Sequence, residues 1–156
     1  MTFVIGVIGS GDYDKRRDPL AMEVGMLIAR HGAVMVCGGL SGIMEAASRG
    51  AHLEGGTIIG ILPGSEKNEA NPHVTYPIPT GLGVARNVLV VRTADALIAL
   101  PGGPGTLSEI ALGLNIGKPV MDLGGWDIEG TRSVSTAEEA VLLALEAGRK
   151  SSLPGA

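Results

Sequence analysis

The sequence has few cysteines and few aromatic residues. It contains one cysteine, Cys37, and four aromatic residues in 156. One cysteine excludes an intrachain disulfide and a cysteine metal cluster, as in proteins of the reducing cytoplasm. A flat ligand ring would rest largely on aliphatic surface, because little aromatic surface is present for stacking. The three histidines lack the spacing of metal ligands, so no metal site is predicted. The aromatic residues are Phe3, Tyr13, Tyr76 and Trp126, and the histidines are His31, His52 and His73.

Positive charge and long apolar runs are also scarce. The net charge is −4, and 18% of the residues are charged, which argues against a general nucleic-acid or membrane-surface binder. No apolar run approaches the ~18 residues that span a bilayer. The start of the chain lacks a basic segment and is soon broken by glycines, so it predicts a first strand and not a signal peptide. We therefore expect a soluble, cytoplasmic protein.

The length suits a single domain, which we place at residues 1–150 with a flexible tail over 151–156. The mean hydropathy of +0.31 is high for a chain of this size. Buried parallel strands raise this value, and so does surface hidden between subunits. We expect a homo-oligomer, most simply a dimer that uses helices 82–93 and 106–116.

Glycine is abundant, with 25 residues, and it separates short β-branched runs from helix-like segments. The predicted strands are 3–8, 34–37, 57–62, 74–78, 95–100 and 119–123, and the predicted helices are 19–31, one capped by Ser41, 82–93, 106–116 and 136–148. Segment 82–93 also fits a strand, and segment 65–72 predicts a mobile loop. The alternation predicts an α/β fold, Rossmann-like and doubly wound, with a mostly parallel sheet and helices on both faces.

Three glycine clusters follow the first, second and fifth predicted strands. They are Gly9-Ser10-Gly11, Gly38-Gly39 with Gly42, and Gly102-Gly103 with Gly105. All three would lie at the carboxyl edge of the sheet, where open α/β sheets bind ligands. Neither a Gly-x-Gly-x-x-Gly fingerprint nor a P-loop is present, because Asp14 stands at the third glycine position and no lysine follows a second glycine.

The segment from Pro101 to Glu109 carries the strongest signal. A buried strand enters a glycine-rich turn, and the turn opens a helix whose first N–H groups are unpaired. This arrangement binds phosphate. Glu109 has two interpretations here, since Thr106 and Glu109 also match a capping box with Thr106 as N-cap. Arg86 likewise fits either an ordinary exposed arginine or a ligand contact.

The strings Gly38 to Ala47, Gly55 to Gly64 and Pro101 to Glu109 resemble the Lonely Guy superfamily, which includes the molybdenum cofactor carrier proteins. The resemblance runs from Gly6 to about Pro119. It implies one of two activities. The hydrolases of the superfamily cleave nucleoside 5′-monophosphates to free base and ribose 5-phosphate without a required cofactor. The carriers hold a phosphorylated pterin cofactor.

The resemblance assigns roles to particular residues. Arg86 and Glu109 match the catalytic pair of the hydrolases, but Asn87 stands where those enzymes usually carry lysine. The segments 105–112 and 117–120 are more similar to the carriers. We expect a protein that binds a phosphorylated small molecule, either a nucleotide or the molybdenum cofactor. The alternative functions are those of a phosphoribohydrolase and of a nucleotide sensor. The expected binding residues are Gly9, Ser10, Gly11, Gly38, Gly39, Gly42, Met44, Arg86, Pro101, Gly102, Gly103, Gly105 and Thr106.

Overall fold

The computed structural model of the protein describes residues 1–151. The strands are β1 (Val4–Ile8), β2 (Val34–Cys37), β3 (Ile58–Leu62), β4 (Tyr76–Pro79), β5 (Ala96–Ala99), β6 (Val120–Asp122) and β7 (Arg132–Ser133). The helices are α1 (Asp18–Arg30), α2 (Ile43–Leu53), α3 (Asn87–Thr93), α4 (Pro104–Asn115) and α5 (Ala137–Ser151), with 3-10 turns at Lys67–Glu69 and Gly83–Arg86. Tail residues 152–156 lie outside the described part.

The seven strands form one sheet in the order β4-β3-β2-β1-β5-β6-β7. Every neighbouring pair is parallel. The chain winds outwards from β1 to β4, returns to the other side of β1 at β5, and winds outwards again. The predicted Rossmann-like, doubly wound fold is confirmed, and β1 and β5 flank the point where the strand order reverses, which is where such sheets bind ligands.

The helices cover both faces of the sheet because each buries one apolar stripe. Helices α1, α2 and α5 pack on one face, with Val24, Ile43 and Val141 among their buried residues. Helices α3 and α4 pack on the other, through Val90 and Ile110. No described helix is long and apolar enough to cross a membrane.

Several local predictions are corrected by the structure. Ser41 does not cap α2, because Gly42 is the N-cap residue and the Ser41 hydroxyl donates to the carbonyl of Gly11 (2.7 Å). Segment 82–93 begins as a 3-10 turn and becomes α-helical only at Asn87. Segment 65–72 is a connection between β3 and β4 that contains a 3-10 turn, and its mobility stays a prediction. Strand β7 was not predicted, because two exposed polar residues give no apolar signal.

Candidate functional site

The glycine turns after β1 and β5 border a cleft of about 410 Å³ at the carboxyl edge of the sheet. Nine of the predicted site residues line it: Gly9, Ser10, Gly11, Met44, Arg86, Gly103, Gly105, Thr106 and Glu109. The cleft is not lined by the other predicted residues, which are Gly38, Gly39, Gly42, Pro101 and Gly102. Residues that sequence reasoning did not assign to the site also line it, namely Asp12, Leu40, Pro63, Val84, Asn87 and Pro104.

Main-chain hydrogen bonds hold the turns together. The N–H of Ser10 donates to the carbonyl of Pro101 (2.9 Å), and the N–H of Ile43 donates to the carbonyl of Ser10 (2.9 Å). Gly102 lets the two turns pack closely against each other, because a Cβ at this position would lie 2.1 Å from Oγ1 of Thr106 and 3.0 Å from the backbone nitrogen of Ser10. The turns after β1 and β5 are therefore one connected structure.

The first turn of α4 faces this cleft. Gly103 is the N-cap residue and Pro104 is the first helical residue, where the missing N–H of proline costs nothing. The first helical hydrogen bond runs from Leu107 to the carbonyl of Gly103, so the N–H groups of Gly105 and Thr106 have no acceptor within the helix. These donors and the helix dipole favour an anion.

Of the two interpretations of Glu109, the capping box with Thr106 as N-cap is wrong. The helix starts two residues before Thr106, and its N-cap residue makes no side-chain hydrogen bond. At the similar sequence before α5, the Glu139 N–H does donate to the hydroxyl of Thr136 (3.1 Å). The Glu109 carboxyl group is instead buried at the cleft wall, with 6% of the residue exposed.

Arg86 is the last residue of the 3-10 turn Gly83–Arg86 and is buried, with 8% of the residue exposed. Its Nη1 donates to Oδ1 of Asn87. Its Nε is buried and, within residues 1–151, has no hydrogen-bond partner. Burial lowers the pKa of Arg86, and the Glu109 carboxylate opposes that effect. Because an unpaired buried donor is costly, this guanidinium is suited to an acceptor brought by a ligand.

Asn87 links the arginine to the first turn of α4. Its Nδ2 donates to Oγ of Ser108 (3.2 Å), and Oγ of Ser108 donates to the carbonyl of Gly105 (2.6 Å). Asn87 is itself buried, with 7% exposed. The orientation of the Arg86 guanidinium and the position of Gly105 therefore depend on one chain of hydrogen bonds.

Burial raises the pKa of Glu109 to about 7, and nearby Arg86 partly offsets this rise. The two charged groups do not form a close ion pair: the three pairs within 4.0 Å among the described residues involve other side chains. A carboxyl group with such a pKa exchanges its proton near neutral pH, so it can donate a proton, accept one or stabilise a cation.

The turn after β2 is anchored by a residue that sequence reasoning missed. Asn71 donates through Nδ2 to the carbonyl of Leu40 (3.0 Å), and its own N–H donates to the carbonyl of Gly39 (2.9 Å). Asn71 sits in the polar segment 65–72, and only its burial reveals this role. The histidines do not line the cleft, although the rings of His52 and His73 lie 5.7 Å apart.

The family sequence model that matches this chain covers residues 2–149 and describes the SLOG cluster4 family. The chain belongs to the SLOG cluster4 family. An uncharacterized protein of Archaeoglobus fulgidus is 47% identical over 138 residues, which cover 88% of this chain and 91% of that protein. This membership confirms the resemblance to the Lonely Guy and molybdenum cofactor carrier superfamily.

Similar proteins with named functions include molybdenum cofactor proteins and a phosphoribohydrolase. The molybdenum cofactor binding protein of Rippkaea orientalis has a TM-score of 0.88 and 36% identity, over 94% of this chain and 97% of that one. The molybdenum cofactor carrier protein of Chlamydomonas reinhardtii has a TM-score of 0.85 and 34% identity, over 94% and 98%. The cytokinin riboside 5′-monophosphate phosphoribohydrolase of Rhodococcoides fascians is 38% identical over 96 residues, 58% of this chain and 48% of the enzyme. This chain thus matches about half the length of that curated hydrolase.

Proposed function

We propose that this protein binds a phosphorylated small molecule, a nucleotide or a molybdopterin-type cofactor, in the cleft between β1 and β5. The observation that carries the proposal is Arg86, a buried guanidinium with an unpartnered Nε on the wall of a cleft that also exposes the first turn of α4. A phosphate group would accept hydrogen bonds from both. The full-length similarity to a molybdenum cofactor binding protein favours a carrier-like role.

The cleft fits such a ligand in size and chemistry. Its volume of about 410 Å³ lies in the range of small-molecule sites. Leu40, Met44, Pro63 and Val84 supply an aliphatic wall for the ring system. The N–H groups of the α4 turn supply donors for the phosphate. The molybdenum cofactor would be held here as cargo, since the proposed role requires binding and release and no reaction of the ligand.

Ligand recovery from the native protein tests this proposal. Native mass spectrometry of the protein purified from its source should find a phosphorylated ligand bound one per cleft. The purified protein should also bind at least one of the common nucleoside monophosphates. Arg86→Ala should lower the affinity for that nucleotide about ten- to a hundredfold and the affinity for the matching nucleoside by less than twofold. Equal losses for nucleotide and nucleoside would overturn the proposal, and so would a native protein that carries no phosphorylated ligand and binds no nucleoside monophosphate.

A second function is supported by the position of Glu109. Its carboxyl group lines the same cleft as Arg86 and has a raised pKa. Cleavage of an N-glycosidic bond passes through a cationic sugar, which a carboxylate stabilises while it orients water. Arg86 would hold the phosphate. Similarity to the Rhodococcoides fascians phosphoribohydrolase supports this second candidate.

Product analysis separates the two functions. A hydrolase releases free base and ribose 5-phosphate from a nucleoside monophosphate, and Glu109→Gln abolishes that release while leaving nucleotide binding intact. A carrier binds the nucleotide and returns it unchanged. Wild-type protein that releases no more base than a heat-inactivated sample excludes the hydrolase and leaves the binding function in place.

A further inference from the structure

The cleft places a buried carboxyl group beside the first turn of α4. Glu109 lines the same cleft as Gly105 and Thr106, whose N–H groups have no acceptor within the helix. Thr106 and Glu109 are both buried, and they are three residues apart on α4, which is about 4.5 Å along the helix axis. An anion bound by this turn would therefore lie near a carboxyl group whose charge is poorly screened by water.

Arg86 connects the ligand to this carboxyl group. Burial raises the pKa of Glu109, and the Arg86 guanidinium opposes that rise. A phosphate that accepts hydrogen bonds from Arg86 brings negative charge to the guanidinium, and this charge offsets the effect of Arg86 on Glu109. The same phosphate repels an ionised Glu109 directly. Both effects favour the protonated carboxyl group in the complex.

The other ionisable groups around Glu109, which is the only one on α4, do not compensate for this change. Asp12, in the loop after β1, lines the cleft and adds negative charge to it. Burial, and to a lesser extent the Glu109 charge, raises the pKa of the Cys37 thiol on β2, so this thiol stays neutral. Helix α3 and strands β5 and β6 also pack against α4. Of these, β5 is uncharged, Arg92 of α3 is exposed, and Asp122 of β6 accepts N–H groups of the loop that follows it. Neither Arg92 nor Asp122 contributes to the pKa shift of Glu109.

We propose that the protein takes up a proton from the solvent at Glu109 when it binds its phosphorylated ligand. The inference rests on the proposed function, because the bound phosphate supplies the negative charge that drives the uptake. The affinity for the ligand therefore falls as the pH rises above neutral, and a rise in pH promotes release. A protonated Glu109 has no charge with which to stabilise a cationic sugar, so the coupling favours holding the ligand over cleaving it.

Proton uptake can be measured on the wild-type protein by calorimetry. The probes are the 5′-monophosphates of adenosine, guanosine, cytidine and uridine, and the one that binds most tightly is titrated at about pH 7.5 in buffers of different ionisation enthalpy. The heat of binding should vary with the buffer and correspond to uptake of more than about half a proton per ligand. The affinity should fall about five- to tenfold between about pH 7 and pH 8.5. The ligand keeps its charge over this range, since the second pKa of a phosphate monoester is about 6.

Two glutamine variants provide the decisive comparison. Glu109→Gln cannot take up the proton, so its affinity should change less than twofold over the same pH range and should exceed that of wild type at about pH 8.5. Glu138→Gln removes the same charge at an exposed residue of α5 that does not line the cleft, and it should keep the pH dependence of wild type. A wild-type affinity that does not change with pH, or proton uptake that persists in Glu109→Gln, would overturn the inference while leaving the phosphate site intact. Binding of none of the four nucleotides would also overturn the inference, and the ligand of the native protein would then decide the proposed function.

Discussion

Gly38 lies against the guanidinium group of Arg86, where a Cβ would be 2.7 Å from Nη1 and 2.8 Å from Cζ. Gly38 therefore packs against the arginine and does not itself line the cleft, whereas Leu40 of the same turn does. Gly38→Ala should displace the guanidinium and reduce the affinity for the tightest-binding nucleoside monophosphate about tenfold. Calorimetry measures this loss.

The control is the same substitution in a protein that already carries Arg86→Ala. If Gly38 acts through the arginine, the two losses are not additive, and Gly38→Ala changes the affinity of the Arg86→Ala protein by less than twofold. Additive losses would show that Gly38 acts on the ligand by another route.

A substitution at Gly105 can test whether the first turn of α4 binds phosphate without destabilising the fold. A Cβ at this position meets no atom within 4 Å, and Gly105 is helical. Gly105→Ala should therefore keep or slightly raise the melting temperature, since alanine favours the helix. The methyl group would still enter the space of a bound phosphate and weaken nucleotide binding about tenfold or more. Unchanged nucleotide affinity in a folded Gly105→Ala protein would remove the phosphate from this turn.

The sequence predicted the architecture because its signals were strong and local. Runs such as Val34–Cys37 combine β-branched residues with a following glycine pair, and the structure places a strand at those four residues. Helix boundaries depended on weaker signals. Pro104, favoured at the first helical position, could have indicated that α4 begins before Thr106. With the helix starting at Pro104, Thr106 is not the N-cap residue, so Glu109 does not complete a capping box and lines the cleft instead.

The site was only partly predictable because tertiary contacts decide it. The glycine turns could be placed at one edge, since each follows a parallel strand. The burial of Arg86 and Asn87 could not be, because it depends on the approach of Gly38 and Ser108 from other elements. The loop after β6, whose N–H groups at Gly124, Trp126 and Asp127 donate to the Asp122 carboxylate, has no sequence motif and was not predicted at all.

A prediction concerns the homodimer expected from the apolar composition. Large apolar residues are exposed on the two elements named for it: Leu82 (53%) and Val84 (86%) beside α3, and Leu107 (44%) on α4. Val84→Glu should convert a dimer to a monomer, because a charge in a desolvated contact is costly. Light scattering after size-exclusion chromatography measures the mass. Leu142→Glu, at an exposed residue (45%) of α5 on the other sheet face, is the control. A monomeric wild type at micromolar concentration would contradict the dimer.

The pKa of Glu109 predicts how stability depends on pH. Burial raises this pKa from 4.5 to about 7 in the folded protein, so folding favours the protonated form. The stabilising effect of protonation is complete below pH 4.5 and is lost as the pH rises to about 7. Glu109→Gln keeps the shape and removes the charge. At about 1.4 kcal/mol per pH unit, the interval from 4.5 to about 7 makes the variant more stable than wild type by about 3 kcal/mol at pH 8. Urea unfolding at pH 4 and pH 8 measures the difference, which should nearly vanish at pH 4. A helix-capping Glu109 would behave differently: glutamine also serves a capping box, so the variant would gain no stability at pH 8.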